Sequence, residues 1–138
     1  MNSMIINDEV TIRRAQSGDI EKLTQFFIKA YGNQTIFQDE RFLRYYFDPF
    51  NKKSELFKYS LIAINSKGEI VSHYGGIFYK LKLNQKIIDV IWGVNAYTLT
   101  EWRGKKINSR IVSFLHENYE ANAVIGMPFA APFFYKKL

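Results

Sequence analysis

Residues 90–117 (VIWGVNAYTLTEWRGKKINSRIVSFLHE) place the tightest limit on the fold. Residues 90–100 carry no charge and are rich in β-branched and aromatic side chains, which predicts a strand. Residues 107–117 set Ile107, Ile111, Phe114 and Leu115 on one stripe, which predicts a helix. Between them lies a short cationic turn, Trp102-Arg103-Gly104-Lys105-Lys106. A strand that enters a helix through such a turn presents free backbone N–H groups and the positive end of the helix dipole. Phosphate and carboxylate are the natural partners of that arrangement.

The rest of the chain is read around this unit. Residues 9–14 (EVTIRR) predict a first strand. A helix starts near Ile20, after Ser17-Gly18-Asp19, with Asp19 or Ser17 available as a cap. Ile20, Leu23, Phe26, Phe27 and Ala30 keep helical spacing until Gly32-Asn33 ends the run. Residues 39–47 (DERFLRYYF) predict a second helix that ends at Asp48-Pro49, with Phe42, Tyr45 and Tyr46 on a shared face. Lys52-Lys53 belong to a polar loop. Residues 59–65, 69–83 and 87–100 follow as three strands joined by tight turns, an antiparallel meander. Gly75-Gly76 mark a bulge or a close approach of two backbones. After the helix over 107–119, residues 123–127 (AVIGM) predict a short strand parallel to the central one, as a strand-helix-strand crossover requires. A last helix begins near Pro132. The order is β-α-α-β-β-β-α-β-α, an α+β fold with a mixed, mostly antiparallel sheet in a single domain over 1–138.

Composition narrows the chemistry. There is no cysteine, so disulfides, thiolate metal sites and a cysteine nucleophile are excluded, and a cytoplasmic location is expected. The net charge of +6 favours an anionic partner. The basic residues form no long stripe and match no nucleic-acid motif, and no stretch is apolar enough for a membrane span, so neither nucleic acid nor membrane is expected. The two histidines and the scattered carboxylates show no metal-ligand spacing, and no metal is expected.

With these residues in this order, the chain from Val10 onward resembles the GNAT superfamily of acyl-CoA-dependent N-acetyltransferases. In that family the central strand runs into an Arg/Gln-x-x-Gly-x-Gly/Ala turn. Here Arg103, Gly104, Lys105, Lys106, Ile107 and Asn108 match it. Lys106 stands where the first motif glycine belongs and Asn108 where the second small residue belongs. Lysine takes a positive φ at greater cost than glycine, and asparagine adds a side chain to a crowded place. At the C-terminus Ala131, Phe134, Tyr135, Lys136 or Lys137, and Leu138 fit the family's aromatic-Tyr-x-Lys pattern, with Pro128 or Phe129 where the family keeps an asparagine. The family continues there into two more strands. Their absence from this sequence implies an open sheet edge, covered by a missing C-terminal segment or by a second copy in a homodimer.

The resemblance implies that acetyl-CoA or another acyl-CoA is the co-substrate. It implies that Arg103, Gly104, Lys105, Lys106, Ile107 and Asn108 cradle its pyrophosphate. Tyr97, Thr98 and Leu99 would pair with the pantetheine arm, and Tyr135 would protonate the departing thiolate. The acceptor would be a small-molecule primary amine, such as an amino sugar, attacking the thioester directly. No residue is fixed as general base. His73 and Glu101 are the nearest candidates, and a water chain would also serve. The alternative is a non-catalytic module on the same fold that binds CoA, another anion or a partner chain.

Overall fold

The computed structural model describes residues 4–7, 10–48 and 57–124. A six-stranded sheet runs in sequence order, β1 (Met4–Asn7), β2 (Val10–Arg14), β3 (Leu61–Asn65), β4 (Ile70–Leu83), β5 (Lys86–Thr98) and β6 (Ala121–Ala123). Every neighbouring pair is antiparallel except β5 and β6, which are parallel. Three helices join the strands: α1 (Ile20–Tyr31), α2 (Glu40–Phe47) and α3 (Ile107–Asn118). From β2 through β6 the expected order holds. The expected final helix lies outside the described residues, as do Lys52 and Lys53.

Local chemistry sets the boundaries. Gly32 ends α1 at φ 94°, its N–H donating to the Ile28 carbonyl. Asp39 caps α2, accepting from the Arg41 amide at 2.8 Å. Asp19 stands at the start of α1, but its carboxylate is not spent on the helix. It accepts two bonds from the Arg13 guanidinium, both 2.7 Å, and one from the Gln16 amide at 2.8 Å. Burial alone would raise the Asp19 pKa, yet Arg13 and the Gln16 amide bring it below the usual carboxylate range.

One strand is added and three expectations need correction. The sequence carries no sign of the edge strand β1, because four residues are too few to show a period. The last strand begins at Ala121, two residues before the expected 123, because Ala121 already pairs with Val90. The central strand gives up Leu99 and Thr100, since Thr100–Trp102 form a 3-10 turn. On α2, Phe42 and Tyr46 stack at 5.5 Å, but Tyr45 is 77% exposed and the buried face is Leu43 and Phe47.

The sheet separates two cores. On the α3 side, Ile12, Leu61, Ile91, Ile111 and Leu115 are fully buried. On the side of α1 and α2, Leu23, Phe26, Phe27, Leu43, Phe57 and Ile62 are. The Gly75-Gly76 pair is a close approach of backbones. A Cβ on Gly76 would lie 2.0 Å from the Tyr59 carbonyl oxygen, and one on Gly75 2.4 Å from that of Val94.

Candidate active site

The site forms where β5 leaves the sheet and enters α3. β5 pairs with β6 from Val90 to Trp92 and with β4 as far as Thr98. Among the described residues, the pairing with β6 runs from Val90 to Trp92, in the middle of β5.

Beyond Trp92 the register against β4 slips by one residue. Val94 faces Gly75, but Tyr97 faces His73, so Asn95 and Ala96 together oppose Tyr74. This is a β-bulge, and Asn95 takes the left-handed conformation it needs, φ 52°. The effect on side chains is specific. Val94 and Tyr97 are three residues apart and would face opposite sides of a regular strand, yet both pack on the α1/α2 core. The Gly75-Gly76 pair hinted at an irregularity here, but the extra residue is on the partner strand.

His73 holds the bulge from beneath. It is 1% exposed, and its Nδ1 lies 3.1 Å from the Asn95 carbonyl oxygen, so Nδ1 carries the proton and donates. The buried Nε2 has no hydrogen-bond partner in the structure. Phe27 and Phe47 meet the ring edge-on at 5.0 and 5.6 Å. Burial lowers the His73 pKa to about 4, the Asn95 bond only partly opposing it. At neutral pH the imidazole is uncharged and sealed off, which suits a positioning residue and not a general base. Glu101 is exposed on the 3-10 turn.

The turn itself takes two left-handed residues. Gly104 has φ 78°, and Lys106 has φ 61° and ψ 19° at the position where the sequence pattern would place glycine. The lysine backbone therefore does what the glycine would do, at a cost of roughly 1–2 kcal/mol. No side chain caps α3, so its first amides keep their donors for another acceptor. Asn108 is drawn back toward the strand. Its Oδ1 accepts from the Thr98 hydroxyl at 2.9 Å, and that hydroxyl shares a 2.7 Å hydrogen bond with Ser72. Ser72, which carries no signal in the sequence, thus ties β4, β5 and α3 together. Ile107 is buried in the α3 core and pins the helix start.

Two cations of the turn, Arg103 and Lys105, lie over aromatic rings. Arg103 donates through Nε to the Thr98 carbonyl at 3.0 Å, and its guanidinium lies 5.1 Å from the centre of the Tyr97 ring. Lys105 reaches over Trp102 at 4.6 Å. Of the expected site residues, Tyr97, Thr98, Arg103 and Asn108 are in direct contact around one corner. Leu99 is buried, its N–H donating to the Val71 carbonyl at 2.9 Å. Gly104, Lys105, Lys106 and Ile107 follow in the turn. Tyr135 lies outside the described residues.

No helix among the described residues is long and apolar enough to cross a membrane. No curated protein matches the sequence. The fold recurs in solved structures of low identity. A predicted acetyltransferase with acetyl-CoA from Clostridium acetobutylicum superposes with a TM-score of 0.63 at 19% identity, covering 93% of this chain and 87% of that one. Glucosamine-6-phosphate N-acetyltransferase from Arabidopsis thaliana gives 0.60 at 19% identity, with 93% and 88% covered. An aminoglycoside acetyltransferase from an uncultured soil metagenomic sample gives 0.64 at 16%, with 93% and 89% covered. The acetyltransferase (GNAT) domain family matches residues 11–138. A profile match over nearly the whole sequence, on a fold shared with these enzymes, makes this chain a member of the GNAT acetyltransferase family.

Proposed function

We propose that the chain binds acetyl-CoA, or another acyl-CoA, at the β5–α3 turn and transfers its acyl group to the primary amine of a small molecule. The observation that carries this reading is the turn itself. Gly104 and Lys106 are both left-handed, and they open an α3 N-terminus that no side chain caps. Two features that would crowd a pyrophosphate are accommodated: Lys106 adopts the glycine conformation, and the Asn108 side chain bonds back to Thr98. Acetyl-CoA and amino-sugar substrates named for the similar structures support the same class of reaction.

When bound, the co-substrate supplies an activated thioester carbonyl. The protein's part is to hold and orient it. Residues 103–108 receive the pyrophosphate, with backbone N–H groups and the helix dipole offsetting its charge. Tyr97 and Thr98 at the end of β5, and Leu99 just beyond it, lie alongside the pantetheine arm. A β5 amide near the bulge polarises the carbonyl as the amine attacks. Nitrogen bonds to the carbonyl carbon, the carbon–sulfur bond breaks, and Tyr135 gives its proton to the thiolate. The amine loses its proton to water, since the one buried histidine is sealed off.

Titration calorimetry with acetyl-CoA, paired with thiol release from acetyl-CoA in the presence of amines, tests the proposal. Binding with turnover is expected, as is a fall of at least tenfold in kcat for Tyr135→Phe. No heat and no thermal shift at high excess would overturn it. Tight CoA binding without turnover of any amine would favour the non-catalytic alternative.

A further inference from the structure

The acyl-CoA reading leaves the length of the acyl chain open, and Gly93 in β5 bears on it. Tyr74 projects from β4 into the core on the α3 side and is 3% exposed. Its ring crosses β5 at Gly93. A Cβ added there would overlap the Tyr74 hydroxyl oxygen. It would also stand 2.6 Å from the ring carbon that bears the hydroxyl and 3.0 Å from Cγ1 of Val124. Any larger residue would displace the phenol, so the glycine is a notch that lets a β4 tyrosine reach across β5. Val124, the residue after β6, borders the same notch. Among the described residues the last β5–β6 pairing is Trp92 with Ala123, so the notch and the valine lie one step beyond it.

We propose that Tyr74, seated in the Gly93 notch beside Val124, is the floor of the acyl site and restricts the co-substrate to short acyl groups, acetyl above all. The inference rests on the acyl-CoA reading and sharpens it. Order along β5 carries it. β4 occupies one edge of β5 as far as Thr98, and the Leu99 amide is spent on the Val71 carbonyl. An arm lying along Tyr97 to Leu99 is thus left with the other edge, the one on the β6 side.

From residues 103–108 such an arm runs past Thr98 to the bulge at Asn95 and Ala96, where the carbonyl is polarised. The acyl tail then continues toward Gly93. Two residues of strand, about 7 Å, separate Asn95 from Gly93. Contact with the phenol oxygen takes about 3.5 Å of that. The remainder holds a methyl or an ethyl group and not an extended chain. The floor is also firm, because Tyr74 is buried with Ile91, Ile111 and Leu115 in one close-packed core.

The test needs no acceptor. Titration calorimetry compares CoA, acetyl-CoA, butyryl-CoA and hexanoyl-CoA on the wild type, Tyr74→Phe and Tyr74→Leu, and melting curves report folding. The wild type should bind butyryl-CoA about tenfold more weakly than acetyl-CoA, and hexanoyl-CoA more weakly still. Tyr74→Leu should bring butyryl-CoA within about threefold of acetyl-CoA and leave CoA itself unchanged. Tyr74→Phe, which removes only the oxygen nearest the notch, should recover part of the butyryl-CoA affinity. Equal affinity of the wild type for all three thioesters overturns the floor while leaving acyl-CoA binding standing. A chain-length preference that Tyr74→Leu leaves intact does the same. Where Tyr74→Leu fails to fold, Tyr74→Phe decides, and an unchanged butyryl-CoA affinity overturns the inference. No heat with CoA or any thioester overturns the acyl-CoA reading itself.

Discussion

The two faces of the sheet are built from different materials. Under α3 the fully buried residues are branched aliphatics: Ile12, Leu61, Ile91, Ile111 and Leu115. Under α1 and α2, phenylalanines join the aliphatics and enclose an uncharged histidine, with Phe37, Tyr46 and Tyr97 at the rim. The aliphatic face seats the helix whose N-terminus is proposed to receive the pyrophosphate, and close-packed branched side chains hold a helix in one place. The aromatic face carries polar edges into its interior, so it can support a bulge, a neutral imidazole and an amide. One sheet thus separates a close-packed aliphatic side, under the helix proposed to receive the co-substrate, from an aromatic side with polar groups at its rim.

Truncation in each core gives the largest effect and tests that division directly. Phe27→Ala should cost about 3–5 kcal/mol and Ile111→Ala about 2–5 kcal/mol in chemical denaturation. Ile111→Ala should also weaken acetyl-CoA binding by calorimetry, because it slackens α3, whereas Phe27→Ala should leave that affinity within about threefold. Equal loss of affinity in both would dissolve the distinction.

Next in size is the Arg13–Asp19 pair, which fastens the entry of α1 to β2 on the aromatic side. Asp19→Ala should cost about 3 kcal/mol, the low end for a broken buried pair, since the Arg13 side chain keeps 23% of its surface exposed. Denaturation at neutral pH measures it. A loss no greater than that of a surface pair would mean that water already screens the bond.

His73 supplies a pH dependence that the aliphatic face lacks. The unfolded imidazole titrates near 6.5 and the folded one at about 4. Above pH 6.5 both states are neutral and nothing is lost. As pH falls, the unfolded chain takes up the proton first and the native state loses stability until its own imidazole titrates near 4. Between pH 6.5 and 5 the loss should be about 2 kcal/mol. Melting curves should show this slope in the wild type, and His73→Phe should flatten it.

The smallest effect is expected at the turn. Lys106→Gly should raise stability by less than about 1 kcal/mol, since relief of the left-handed lysine is partly cancelled by the greater freedom of glycine in the unfolded chain. A lower melting temperature would show that the lysine side chain holds the turn through contacts of its own.

Much of this was legible in the sequence, and the limits have physical causes. The meander, the crossover and the α3 stripe follow from period and spacing, and Arg103-Gly104 marked the turn. The His73 cage was not legible, because its walls come from α1 and α2, which are distant in sequence. The bulge left a trace: Val94 and Tyr97 break the alternation expected of a strand, and Asn95 between them tolerates a positive φ. Lys106 shows the opposite case. The sequence gives no sign that a lysine would accept the glycine conformation, because the neighbouring turn and Ile107, buried at the helix start, impose it.

The slip at Asn95 and Ala96 also makes chain length a constraint in its own right. Removing one residue between Val94 and Thr98 would exchange the sides on which Tyr97 and Thr98 emerge. That single change would part Tyr97 from Tyr31 and Arg103, and Thr98 from Ser72 and Asn108, with no contact residue altered. At the other end of the same ribbon, the exposed Asn84-Gln85 turn joins Leu83 to Lys86 and faces no such demand. Insertions should therefore be tolerated at that tip and rejected at the bulge, although the two lie on one ribbon.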